Sequence, residues 1–192
     1  MKRYFPFERR KQEQLKKNDK SFKQSWDKPI LILCEIINKN PDYYTTSSCS
    51  GRIALFKGEI KKQPNILLKT YHEKITLKQL KKDLEEISKT FRSLIHFKQE
   101  PCIIHIATTN LEQAQKLHDL GKLAGWKKNG IIASSSRFVV ELSGTDKLEF
   151  PIVNQSKFLV DDNFLNLIIK ESNKRLDKSW EKIEKLNNLL KN

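Results

Sequence analysis

The residues best equipped for chemistry fall in the stretch SSCSGR, Ser47 to Arg52, where three hydroxyls, a thiol, a glycine and a guanidinium follow one another directly. On a strand, alternate side chains share a face, so Ser48, Ser50 and Arg52 point one way and Ser47 with Cys49 the other. Gly51 lets a ligand approach the backbone closely, and Arg52 can grip a carboxylate or phosphate through two parallel hydrogen bonds. The same six residues also fit a turn that satisfies its own backbone, with Cys49 a small buried side chain. A cysteine nucleophile with His72 or His105 as its base is a third reading, although the only nearby group that favours a thiolate is Arg52.

The histidines sharpen these alternatives. His105 lies in CIIHIA and faces the opposite side from Ile104 and Ile106, where a hydrogen-bonded structural role competes with a place in a site. His72 ends a strand after Thr70 and Tyr71, which suits a pocket, and Tyr71 offers either a ring for stacking an unpaired base or a piece of core. The four histidines (His72, His96, His105, His118) have no metal-ligand spacing, so no metal site is expected. The three cysteines (Cys34, Cys49, Cys102) form no CxxC pair, which argues against a disulfide framework or a zinc knuckle and for reduced thiols. None of the six glycines completes a GxGxxG between a strand and a helix, so the phosphate-cradling turn of a classical Rossmann methyltransferase is missing.

The elements that must position these residues alternate in type. A basic segment over residues 1–28 carries ten Lys or Arg against four acids and reads as a short helix with an ordered arm holding Phe5, Phe7, Leu15, Phe22 and Trp26. Pro29 suits the first turn of a helix to about Asn40, with Asp27 as its cap and Ile30, Leu33, Ile36 and Ile37 as its apolar face. Tyr43 to Phe56 is strand-like, and Asn65 to Tyr71 is a second strand after a turn at Lys61, Lys62 and Pro64. Apolar residues three and four apart predict an amphipathic helix from Thr76 to Phe97. A strand over Cys102–Ala107, a helix from Asn110 to about Ala124 and strands over Ile131–Ala133, Arg137–Leu142 and Leu148–Ile152 follow. Asp161 and Asp162 start a last helix over about 162–191, with Lys170, Lys174, Lys178, Lys182 and Lys185 along one face. The expected fold is α+β, a mixed and largely antiparallel sheet packed with helices, in one domain over residues 1–192.

Thirty-seven Lys and Arg against twenty-three Asp and Glu leave a net charge of +14, which favours an anionic partner, nucleic acid first. High lysine is also a habit of thermophile proteins, so growth temperature is a competing source of the excess. No apolar run is long enough to span a membrane and the N-terminus lacks the apolar stretch of a signal peptide, so the expected location is cytoplasmic, with no membrane or protein partner.

DYYTTSSCSGRI, from Asp42, resembles the signature of the tRNA wybutosine-synthesizing protein 3 family, archaeal members included. DKPI from Asp27, HIATTNLEQAQKL from His105, AGWKKNGI from Ala124 and RFVVELSGTDKLEFPI from Arg137 are similar to further family blocks in the same order. LLKTYH before and at His72 departs from the pattern, in which a Gly and Trp-containing segment is common. The resemblance implies an S-adenosyl-L-methionine-dependent methyltransferase acting on the N4 nitrogen of the tricyclic wyosine-type base beside the anticodon of phenylalanine tRNA. It implies Ser47, Ser48, Cys49, Gly51 and Arg52 as cofactor-binding residues and His72 and His105 as catalytic ones. The basic arm and the lysine-lined helix would hold the anticodon stem-loop through its phosphates. A non-catalytic RNA-binding module of the same fold is the alternative.

Overall fold

A computed structural model describes residues 7–16, 27–58, 66–135 and 137–191. Phe5, Phe22 and Trp26 of the expected arm, and the turn at Lys61, Lys62 and Pro64, lie outside the described residues. The fold is α+β, and the chain forms two compact units, each built on its own antiparallel sheet.

The first unit comprises Met1–Ser50, Cys102–Thr145 and Ser179–Asn192. Its sheet has the order β1-β5-β7-β6, formed by β1 (Tyr43–Cys49), β5 (Ile103–Thr108), β7 (Phe138–Ser143) and β6 (Lys128–Ala133). Ile104, Ile106, Val140 and Leu142 alternate onto one face and bury completely in the core, together with Trp126. Helix α2 (Lys28–Lys39) contributes Ile30, Leu33, Cys34 and Ile37 to that core, the three-and-four spacing of a single helical stripe, with Pro29 in its first turn. Helix α4 (Leu111–Leu123) adds Ala114 and Leu117. It starts at Asn110, whose side chain accepts a 2.9 Å hydrogen bond from the Gln113 amide, and ends at Gly125, whose φ of 85° needs glycine. The opposite face of the sheet carries Tyr44, Ala107 and Val139 at one end, packed against Phe7 of α1 (Phe7–Leu15).

The second unit comprises Gly51–Pro101 and Asp146–Lys178. Its sheet has the order β3-β2-β4-β8-β9, formed by β3 (Leu67–Tyr71), β2 (Arg52–Lys57), β4 (Ile95–Glu100), β8 (Leu148–Asn154) and β9 (Lys157–Phe158). Helix α3 (Leu77–Thr90) is capped by the Thr76 hydroxyl, which accepts from the Gln79 amide at 3.2 Å. Helix α5 (Asp162–Lys191) begins where the Asp161 carboxylate accepts the Phe164 amide at 2.8 Å.

Two sequence expectations are corrected. The helix expected to reach Phe97 stops at Thr90, because Phe91 turns extended and Ile95 starts β4, an interior strand of the sheet. Ile95 and Phe97 are two apart on one buried face, and that period of two won over the helical spacing that runs through them. The strand-like run from Tyr43 to Phe56 is two strands, broken at Gly51 with φ 96° and assigned to different sheets.

The caps are a direct test of how locally the helices are specified. Asn110→Ala should lower the unfolding free energy by about 1 kcal/mol, seen as a lower urea midpoint at an unchanged slope.

Candidate functional site

Strand β1 contains a bulge between Thr45 and Ser47. Before it, Tyr44 pairs with Ala107 and Thr45 with Ile106; after it, Ser47 rather than Thr46 stands opposite His105. The extra residue is held on both sides: the Thr46 hydroxyl donates to the His105 carbonyl at 3.3 Å, and its own carbonyl accepts from the Gln14 side chain of α1 at 3.3 Å. A bulge inserted here re-aims the serine onto the histidine's face.

His105 pairs across β7 with Glu141, and Glu141 pairs with Gly130 of β6, so four strands place Ser47, His105, Glu141 and Gly130 in one row. The row is hydrogen-bonded through its side chains. Ser47 Oγ lies 2.8 Å from His105 Nδ1, and His105 Nε2 lies 2.8 Å from Glu141 Oε2. An ionised carboxylate only accepts, so Nε2 carries the proton, and in the neutral imidazole Nδ1 is left to accept from the Ser47 hydroxyl. The order is therefore carboxylate, imidazole, hydroxyl, each step drawing proton density away from Ser47 as in a serine-histidine-acid arrangement, with the two ring nitrogens exchanged. Lys128 follows on the same face, its Nζ 4.0 Å from Glu141 Oε1. A Cβ placed at Gly130 would meet nothing within 4 Å, so the sheet is open at that position beside Glu141.

Cys49 falls on the same face as Ser47, as expected from alternation, and is half-buried. Ser48 points to the core side, where its hydroxyl meets the Cys34 thiol. Burial pushes that thiol up to about 12, against the opposing effect of the Ser48 hydrogen bond. Ser50 is fully buried, and its amide and hydroxyl both donate to Asp27 Oδ2, at 3.0 and 3.2 Å. Asp27 occupies the position before α2, but its side chain makes no cap bond to the helix. The expectation that it caps α2 is corrected: its carboxylate fastens the end of β1 instead.

Arg52 does not share a strand face with Ser48 and Ser50, because Gly51 ends the extended run between them. It belongs to the second unit, where its Nε donates to Glu100 Oε2 at 2.6 Å. His72 is also in that unit, one residue beyond the Ile53–Tyr71 pair as Arg52 is one residue before it. Tyr71 is core: its hydroxyl donates to Asp83 Oδ2 at 2.6 Å in a buried bond, and burial with that carboxylate raises its pKa. A stacking role for its ring is thereby ruled out.

The sequence expectations name Ser47 and His105, which the fold joins, and include neither Glu141 nor Lys128; Asp27, expected as a helix cap, holds Ser50 instead. Glu141 had one visible signal, a charged residue between Val140 and Leu142 in an otherwise apolar run.

The thiols give a measurable contrast. A group titrating near 12 is protonated at pH 8, so iodoacetamide at that pH should label Cys49 first and leave Cys34 unmodified in the folded protein, as mass spectrometry of peptides would read.

Residues 9–192 match the family model described as Methyltransferase TYW3. A protein of Archaeoglobus fulgidus named tRNA(Phe) 7-((3-amino-3-carboxypropyl)-4-demethylwyosine(37)-N(4))-methyltransferase is 32% identical over 85% of this chain and 82% of its own. A Pyrococcus furiosus protein named for the same reaction is 34% identical, over 83% of this chain and 77% of its own. A zebrafish (Danio rerio) homolog of tRNA wybutosine-synthesizing protein 3 is 30% identical over 96% of this chain and 74% of its own. A solved structure of a Pyrococcus horikoshii protein superposes with a TM-score of 0.84 at 28% identity, covering 96% of this chain and 95% of that one.

Proposed function

The chain belongs to the TYW3 methyltransferase family, and from that premise we propose that it transfers a methyl group from S-adenosyl-L-methionine to the N4 nitrogen of the tricyclic base at position 37 of phenylalanine tRNA, the substrate named for its relatives. The single observation that carries the chemistry is the hydrogen-bonded row Ser47, His105, Glu141.

Ser47, Glu141 and Lys128 border the bare outer face where S-adenosyl-L-methionine would be held, and it would supply there an electrophilic methyl group on a sulfonium. The face suits such a ligand: Gly130 leaves space over the sheet, and hydroxyl, carboxylate and ammonium groups border it. An acceptor nitrogen that gains a methyl group must shed its own proton. Ser47 Oγ takes a hydrogen bond from that N–H, passes its hydroxyl proton to His105 Nδ1, and receives the acceptor's proton in return. Glu141 holds the imidazole in the tautomer that can accept and stabilises the imidazolium that forms. Much of the remaining acceleration comes from placing donor and acceptor in line, which needs no covalent enzyme intermediate. Cys49 has no part in this scheme.

We further propose that tRNA is held by its anticodon stem-loop. Arg9 and Arg10 on α1, and the exposed Lys170, Lys174 and Lys178 on α5, supply phosphate contacts. In the second unit Arg52 serves as a further anion ligand, since Glu100 engages its Nε and the guanidinium has donors beyond that one. A base in a loop is accessible because it can be splayed from its neighbours.

The test incubates the protein with labelled S-adenosyl-L-methionine and phenylalanine tRNA carrying the unmethylated tricyclic base. Label should enter that base; His105→Ala should lower the rate by about 100-fold or more, and Arg52→Ala should lose most turnover with an unchanged circular dichroism spectrum. Cys49→Ser should keep most of it, and its inactivation would instead support a cysteine nucleophile. Filter binding of the tRNA should weaken steeply from low to high salt; a flat response would remove the phosphate contacts.

A further inference from the structure

Glu141 has two oxygens, and the proton relay uses one. Oε2 is taken by His105, while Oε1 faces Lys128 at 4.0 Å, too long for a closed, hydrogen-bonded ion pair. The two partners differ in freedom. Glu141 is only 21% exposed and fixed by the histidine, whereas Lys128 is 71% exposed on the edge strand β6. Gly130 pairs with Glu141, and Lys128 stands two residues away along the same strand on the same face. The result is a patch of bare backbone with a fixed negative charge across it and an adjustable positive charge along it.

A lone anion on this patch would be repelled by Glu141, and a lone cation by Lys128. A ligand carrying both charges close together satisfies both. We propose that Glu141 and Lys128 form a subsite for an α-amino-acid head, the 3-amino-3-carboxypropyl group, with its ammonium on Glu141 Oε1 and its carboxylate on Lys128 Nζ. The inference rests on the reading of this face as the reaction site. The reaction offers the group from two sources. It is the side chain of the base named for the relatives, and it is the methionine portion of the proposed methyl donor. The complementary charges recognise either.

The test has two arms, each run on wild type, Lys128→Ala and Lys128→Arg; Lys128 is exposed on an edge strand, so these variants should fold. The first measures by calorimetry the affinity for S-adenosylhomocysteine and for methylthioadenosine, which lacks the amino-acid head. The second measures kcat/KM for tRNA bearing the tricyclic base with and without its amino-carboxypropyl chain. If the donor's head is held, Lys128→Ala weakens S-adenosylhomocysteine about five- to tenfold and leaves methylthioadenosine unchanged. If the base's chain is held, the same variant lowers kcat/KM by a similar factor only for the tRNA that carries the chain. In either case Lys128→Arg should retain most of the wild-type preference. Preferences unchanged in both arms, or an equal loss on both tRNAs as a plain phosphate contact would give, overturn the inference while wild-type methyl transfer stands. A wild-type protein that neither binds S-adenosylhomocysteine nor transfers methyl overturns the reading of the face, and the subsite with it.

Discussion

The pairing of β1 with β5, and the one extra residue it absorbs at Thr46, is the constraint on which the polar row depends. Side chains on a strand alternate, so shifting the count by one exchanges the faces. Without the bulge, continuing the register from Tyr44 and Thr45 would set Thr46 opposite His105 and send Ser47 toward the core with Ile104 and Ile106. The bulge reverses this for the second half of the strand alone. Tyr44 keeps its place under Phe7, while Ser47 and Cys49 come to the outer face and Ser48 to the core. Anchoring a bulge requires partners for its unpaired groups, and Gln14 and the His105 carbonyl provide them. Asn38 fixes the approach from the other side, accepting from the Thr45 amide at 2.8 Å.

The far end of the same strand is held by a charge. Asp27 is buried, and its carboxylate accepts two hydrogen bonds from Ser50. Removing that carboxylate would take its acceptor from two buried donors, a larger penalty than losing either bond in water. The SSCSGR run makes several different contacts: Ser47 joins the row, Ser48 meets Cys34, Ser50 binds Asp27, Gly51 turns the chain, and Arg52 pairs with Glu100 in the second unit.

This explains which parts were legible in the sequence. Helices α2 and α4 announced themselves by a single apolar stripe and by Pro29 or Asn110 at the start, because helix caps and faces are set by residues a few positions apart. His105 facing away from its isoleucines was equally readable, since alternation is local. Glu141 as its partner was not: Glu141 meets His105 only because β7 pairs with β5 in one register, a fact about residues 36 apart. The bulge was hidden for the same reason, as nothing in TTSS marks which residue the partner strand will skip. The failure at Phe97 had another cause. Ile95 and Phe97 satisfy both a helical and an extended period, and the pairing with β2 and β8 decided between them.

The absence of a glycine-rich phosphate turn in the sequence follows from the same geometry. A Rossmann-type site concentrates its ligand contacts in one turn between a strand and a helix, so a short motif records it. In an antiparallel sheet, residues that share a row come from strands distant in the chain, and their ladder bonds run perpendicular to the strands. Ser47, His105, Glu141 and Gly130 come from four separate segments and meet in one line. The sheet therefore assembles a hydroxyl, an imidazole, a carboxylate and an open floor without any of them being neighbours in sequence. The information that builds this row is carried by strand register, and the local motif SSCSGR contributes to it through Ser47 alone.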